Sequence, residues 1–197
     1  MKVYFARHGE YQNPDKITPN RLPGFHLTEL GKKQAKLQGD KLAKLKLRAI
    51  FTSPITRCVE TAEIISQIVH LHPNQKPELL EIDTPLVGIK IDDPRRNLPE
   101  YLYKLPEHIE GGGETPVNIF ERFSNFIEKL KLTSSKSNYL FVSHADPIMI
   151  YLHGSMKLGL PYVHKDFETS KLRYIPMGGL VCLDFTQVGI PKYTEII

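Results

Sequence analysis

Hydrophobic positions along the chain fall into short runs whose spacing switches repeatedly between that of strands and that of helices. Lys2 to Ala6 is a β-branched and aromatic run that breaks off at Arg7-His8-Gly9, which predicts a strand followed by a loop. From Thr28, an N-cap candidate, Leu30, Ala35, Leu37, Leu42 and Leu45 fall near one face of an amphipathic helix. Ala49 to Thr52 is a short strand, after which Ser53 and Pro54 offer an N-cap and a first-turn proline to a helix carrying Val59, Ala62, Ile65 and Val69. Thr115-Pro116 opens a further helix with Ile119, Phe123, Ile127 and Leu130, and strand Tyr139 to Val142 runs into Asp146-Pro147. Leu180 to Phe185 and Tyr193 to Ile197 close the chain as strands, one of them antiparallel to the rest. Alternating β and α units of this kind predict an α/β fold, a three-layer α/β/α sandwich around a mostly parallel sheet. Residues 84 to 114 interrupt the alternation with prolines at 85, 94, 99 and 106 and the run Gly111-Gly112-Gly113. They are expected to form an insertion or lid, with one brief helix around Leu98 to Leu105.

At 197 residues the chain suits one domain, 1–197. Its 26 basic and 22 acidic residues leave a formal charge of +4. The lysines and arginines are dispersed, which argues against nucleic acid as a partner. No apolar run reaches the roughly 18 residues of a membrane span, and no cleavable signal pattern precedes the first strand. With only Cys58 and Cys182, a disulfide framework is not expected, and a reducing cytoplasmic setting is.

Polar residues just beyond the carboxyl ends of parallel strands are where ligands gather in such sheets. Arg7-His8 follow the first strand, Arg57 lies in the helix turn after the second, Glu81 ends the stretch Leu79-Leu80, and His144 follows Val142-Ser143. Two guanidinium groups and two imidazoles around one point match a phosphate dianion, and the helix starts near Pro54 and Pro147 add positive ends, so that no metal or cofactor is required. His8 is the candidate nucleophile if its attacking nitrogen is held neutral. Gly9 would let the backbone turn tightly and let phosphate approach beside it. Glu81 is the candidate proton donor to the leaving oxygen, since burial and a nearby dianion raise a carboxyl pKa.

Four motifs in this order, Arg7-His8-Gly9-Glu10, Ser53-Pro54-Ile55-Thr56-Arg57-Cys58-Val59-Glu60-Thr61-Ala62, Leu80-Glu81 and Ser143-His144-Ala145-Asp146-Pro147, together resemble the histidine phosphatase superfamily, in its phosphoglycerate-mutase-like branch. Leu27-Thr28 with Gly31 and Gln34-Ala35, and Gly112-Gly113-Glu114-Thr115, also look like landmarks of that family. The resemblance implies that His8 is phosphorylated, that Arg7, Arg57 and His144 hold the phosphoryl group, and that Glu81 donates the proton. Asp83 competes for that last role. The implied substrate-binding set is Arg7, Asn13, Arg57, His144 and Ala145.

The expected reaction is hydrolysis of a phosphate monoester, with a small molecule or a phosphoprotein as substrate. A phosphoglycerate mutase is the closest rival enzyme, and a non-catalytic protein that binds phosphorylated ligands is the rival of a different class. The short 84–114 segment favours hydrolysis, because a mutase must keep water from its intermediate. His70 and His72, two apart, face different sides of a helix and carry no metal argument. His153 and His164 receive no role. Arg95 and Arg96 read as a solvated loop pair, with contact to a charged substrate tail as the alternative.

Overall fold

The computed structural model describes residues 1–84, 86–93, 110–134, 136–162 and 164–196. Six strands form one sheet: β1 (Lys2–Arg7), β2 (Leu47–Thr52), β3 (Pro73–Gln75), β4 (Asn138–Ser143), β5 (Leu180–Asp184) and β6 (Lys192–Glu195). Their order is β3-β2-β4-β1-β5-β6. β3, β2, β4 and β1 run parallel, and β5 is antiparallel to both of its neighbours. Among the described residues the helices are α1 (Glu29–Leu42), α2 (Thr56–Val69), α3 (Pro116–Ser134), α4 (Ala145–Ser155) and α5 (His164–Glu168), with a 3-10 turn at Pro77–Leu79.

Strand alternation builds the three layers. Val3 and Phe5 of β1, with Tyr139 and Phe141 of β4, pack on one side against Ile119, Phe123 and Ile127 of α3 and Ile148, Met149 and Leu152 of α4. Tyr4 and Ala6, with Leu140 and Val142, pack on the other side against Leu42 of α1 and Cys58, Ala62 and Ile65 of α2. The predicted sandwich and its mostly parallel sheet are therefore present. Most of the 84–114 segment, including the helix expected at Leu98 to Leu105 and the pair Arg95 and Arg96, lies outside the described residues.

Two local expectations change. Leu30 and Leu37 are 52% and 46% exposed, whereas α1 buries Gly31, Ala35, Gln38, Gly39 and Leu42. The contact is made by close backbone approach: a Cβ on Gly31 would lie 2.0 Å from the Glu10 carbonyl oxygen, and one on Gly39 would lie 2.5 Å from Ile68 of α2. Gln38 adds polar ties, its Nε2 donating to the carbonyls of Arg7 and Gly179 at 2.9 Å each. The other change concerns α2, which starts at Thr56 behind Ile55 with no side-chain cap. Ser53 serves the site instead.

Candidate active site

The ends of β1 and β4 lie in register, Arg7 beside Ser143, and β2 ends at Thr52 beside Val142. The residues that follow these strands, His8, His144 and Ser53, therefore emerge together at one edge of the sheet. The amides of His8 and Ser53 donate to the carbonyls of Ser143 and Val142, at 3.1 Å and 2.9 Å, which fixes both departures from the sheet. Neither α2 nor α4 carries a side-chain N-cap, so both first turns bring partial positive charge to this edge.

His8 is 2% exposed. Its Nδ1 lies 2.8 Å from the Gly9 carbonyl, which can only accept, so Nδ1 carries the proton and Nε2 the lone pair. Arg57 Nε donates to that Nε2 at 3.2 Å. Burial, then the charges of Arg57 and Arg7, hold the imidazole pKa well below its ordinary value, so the ring is neutral. Gly9 is itself held, its amide donating to Thr61 Oγ1 of α2 at 3.1 Å. The glycine is required by packing, since a Cβ there would come within 2.4 Å of the Gly31 carbonyl oxygen of α1.

Arg57, 1% exposed, also donates through Nη2 to the Asn20 carbonyl at 2.8 Å and to His144 Nδ1 at 3.0 Å. This leaves His144 Nε2 as the protonated nitrogen, donating to Ser53 Oγ at 2.9 Å. Burial, Arg57 and His8 lower the His144 pKa well below its ordinary value, so this ring too is neutral. The two imidazoles meet edge to face, 5.3 Å between centroids. Arg7 donates through Nη1 to the Ile175 carbonyl at 2.9 Å. Two buried donors, Arg7 Nε and Arg57 Nη1, have no acceptor among the described residues.

Glu81 stands opposite, its Oε2 3.6 Å from His144 Nδ1 and 4.0 Å from Arg57 Nη2. Its other oxygen accepts from the Ile82 amide at 3.0 Å. Burial first, then the Asp146 carboxylate, push its pKa up to about 7 against the opposing pull of Arg57. Asp83, its rival, is 61% exposed and paired with Arg21 at 2.8 Å. The cavity between these groups is lined by Arg7, His8, Tyr11, Arg57, Glu81 and Asp146, among others.

Arg7, His8, Arg57, Glu81 and His144 thus come together as expected, while Asn13 does not join them. Both ends of its amide are bonded to the main chain of Ile17, at 2.7 Å and 3.1 Å, where they shape the loop. Ala145 is buried at the first position of α4, directly after His144. Three residues at the site carried no sequence signal. Tyr11 packs on His8 at 5.4 Å and under the Arg57 guanidinium at 5.2 Å. Asn20 supplies the carbonyl that aims Arg57, and Tyr174 donates to Asp146 at 2.5 Å. Their positions depend on loops that only the folded chain brings back. His70 ends α2 in a left-handed conformation, φ 57°, and His153 is buried between the Met149 carbonyl and Ser170.

Residues 3–174 match the family described as Histidine phosphatase superfamily (branch 1). The chain belongs to the histidine phosphatase superfamily. Uncharacterized protein Rv0525 of Mycobacterium tuberculosis (strain ATCC 25618 / H37Rv) is 31% identical to it over 159 residues, 78% of this chain and 79% of that protein. Phosphoserine phosphatase 1 of Hydrogenobacter thermophilus (strain DSM 6534 / IAM 12695 / TK-6) is 29% identical over 157 residues, 75% of this chain and 72% of that protein. The solved native structure of mycobacterial glucosyl-3-phosphoglycerate phosphatase Rv2419c shares the fold with a TM-score of 0.77 at 17% identity, covering 100% of this chain and 97% of that one. This histidine phosphatase is accordingly an enzyme of the phosphatase type. Among its described residues no helix is long and apolar enough to cross a membrane.

Proposed function

We propose that this histidine phosphatase hydrolyses phosphate monoesters, without a metal ion, through a phosphohistidine on His8. The observation that carries the reading is the tautomer of His8: Nδ1 is committed to the Gly9 carbonyl, and the lone pair on Nε2 faces the Arg57 guanidinium. In the first transfer an Nε2–phosphorus bond forms as the ester oxygen–phosphorus bond breaks, and protonated Glu81 gives its proton to the departing alcohol. In the second, water attacks phosphorus, Glu81 takes back a proton, the Nε2–phosphorus bond breaks and inorganic phosphate leaves. Arg7 and Arg57 stabilise charge on the non-bridging oxygens in both steps, the main source of catalysis in phosphoryl transfer, while His144, its own N–H held by Ser53, keeps Arg57 in place through Nδ1. The spare N–H donors of Arg7 and Arg57 supply what a bound phosphoryl group would accept. Asp83, exposed and paired with Arg21, is not assigned a proton-transfer role.

The chain is read as a single domain with 84–114 as an insertion beside the site, and Ile91 of that insertion lines the cavity. Two free, buried thiols, Cys58 and Cys182, support a reducing, cytoplasmic setting. Turnover of p-nitrophenyl phosphate in the presence of EDTA tests the proposal. His8→Ala should abolish that turnover with the circular dichroism spectrum retained, and acid-labile, base-stable label from a radioactive substrate should appear on wild type only. Isomerisation of 3-phosphoglycerate without phosphate release would make the protein a mutase. Binding without either activity would make it a phospho-ligand receptor.

A further inference from the structure

The segment that delivers Glu81 has almost no regular structure, only one 3-10 turn at Pro77–Leu79. Its carbonyls therefore lack the partners that a strand or helix would give them. Three of them are met by guanidinium groups from distant parts of the chain. Arg122 of α3 donates through Nη1 to the Glu78 carbonyl at 2.5 Å and through Nη2 to the Leu80 carbonyl at 2.8 Å. Arg21, in the loop after β1, donates through Nε to the carbonyl of Glu81 itself at 2.8 Å.

Glu114 joins the two arginines. Its Oε1 accepts from Arg122 Nε at 2.6 Å, and its Oε2 accepts from Arg122 Nη2 at 3.1 Å and Arg21 Nη2 at 3.0 Å. The same Oε2 accepts from the Asp83 amide at 3.3 Å, and the Glu114 amide donates to the Asp83 carbonyl at 2.9 Å. Glu114 and Arg122 are largely buried, with side chains 13% and 15% exposed. Planar guanidinium forks meeting a carboxylate in pairs fix direction as well as distance. The carboxylates of Glu114 and Asp83 balance the two arginines, so the bracket restrains the segment without adding a net positive charge beside the acid.

We propose that Arg122, Glu114 and Arg21 form a clamp that positions Glu81 for proton transfer, although none of them touches the substrate. This rests on the reading of Glu81 as the proton donor. A carboxyl displaced by about 1 Å loses roughly a hundredfold in rate wherever its proton is needed. Simple stabilisation of the fold would affect all substrates alike. Positioning of an acid affects substrates according to how much their leaving group needs the proton.

The experiment compares kcat/KM for β-glycerophosphate, whose leaving alkoxide is strongly basic, with that for p-nitrophenyl phosphate, whose phenolate is weakly basic. This parameter reports the first transfer, through departure of the alcohol. Glu81→Gln serves as the reference, beside Glu114→Gln and Arg122→Gln, with folding followed by circular dichroism. The clamp variants should lower the glycerophosphate value roughly ten- to a hundredfold more than the nitrophenyl value, in the same sense as Glu81→Gln. A selective loss in Glu81→Gln with equal loss on both substrates in Glu114→Gln and Arg122→Gln overturns the clamp and leaves the acid in place. No selective loss in Glu81→Gln itself removes the acid assignment and the clamp together. Should Arg122→Gln fail to fold, Arg21→Ala, which removes the single bond to the Glu81 carbonyl, carries the same comparison.

Discussion

At His8 the neighbouring backbone decides which ring nitrogen is available. The Gly9 carbonyl accepts from Nδ1, and two arginines with burial keep the ring neutral far below ordinary imidazole titration. The acid limb of a pH profile that reports His8 therefore lies well below pH 6.5. On the proposed mechanism the alkaline limb is set by Glu81, because a pKa pushed up to about 7 keeps the carboxyl protonated to near neutrality and the proton is lost above it. For an alkyl phosphate, kcat/KM should fall above about pH 7. Asp146 is the second cause of the raised value after burial, and a negative neighbour disfavours the charged carboxylate. Asp146→Asn keeps an oxygen to accept from Tyr174 and removes that charge, so its alkaline limb should move to lower pH. An unmoved limb would show that another group sets it. His8, Arg57 and His144 could be named from the sequence because each directly follows a strand or opens a helix, so local chemistry and topology point the same way. The role of Asn13 was not legible in the same way, because its residue type suits phosphate while its turn geometry engages both ends of the amide with Ile17.

Among the elements, α1 does more for the site than its pattern of leucines suggests. Gly31 and Gln38 lie against the segment that carries His8, and the Gly31 backbone occupies the space beside both Gly9 and Glu10. Gly31→Ala would drive a methyl group to 2.0 Å from the Glu10 carbonyl oxygen, forcing the loop and helix apart. It should destabilise by about 1–3 kcal/mol, the usual range for overpacking, and should reduce turnover more than a core substitution of similar effect on stability. Leu37→Glu, on the exposed face, should stay within about 0.5 kcal/mol of wild type in thermal denaturation. A large loss for Leu37→Glu would restore the leucine face as the packing face. The central strands were legible as continuous apolar runs, buried on both faces in β1 and β4, and α3 because its buried positions Ile119, Phe123, Phe126 and Ile127 are apolar at a spacing of three to four. The buried stripe of α1 was not, since close backbone contact selects residues with little or no side chain, which a count of hydrophobic positions passes over.

On the scale of the whole molecule, the site joins the layers. Arg7 and His8 leave the sheet, Arg57 comes from α2 on one face, and His144 and Asp146 lie at the start of α4 on the other. A phosphoryl group bound among them would connect these elements and accept from Arg7 Nε and Arg57 Nη1, which have no acceptor among the described residues. Such a ligand favours the folded state by mass action, by about 2.7 kcal/mol at a concentration a hundred times its Kd. For a chain of this size each 1 kcal/mol raises Tm by about 2–4 °C, so phosphate or orthovanadate at that excess should raise Tm by roughly 5–10 °C. Sodium chloride at equal ionic strength controls for general ionic effects, since chloride has neither the shape nor the oxygens of a phosphoryl group, whereas sulfate would enter the same pocket. Arg57→Ala removes three donated bonds, to His8, Asn20 and His144, as well as the spare donor, so it should lose most of the phosphate-dependent increment whatever its own Tm. An increment preserved in Arg57→Ala would mean that phosphate binds elsewhere, and that the arginines at this edge hold the two imidazoles without receiving a phosphoryl group.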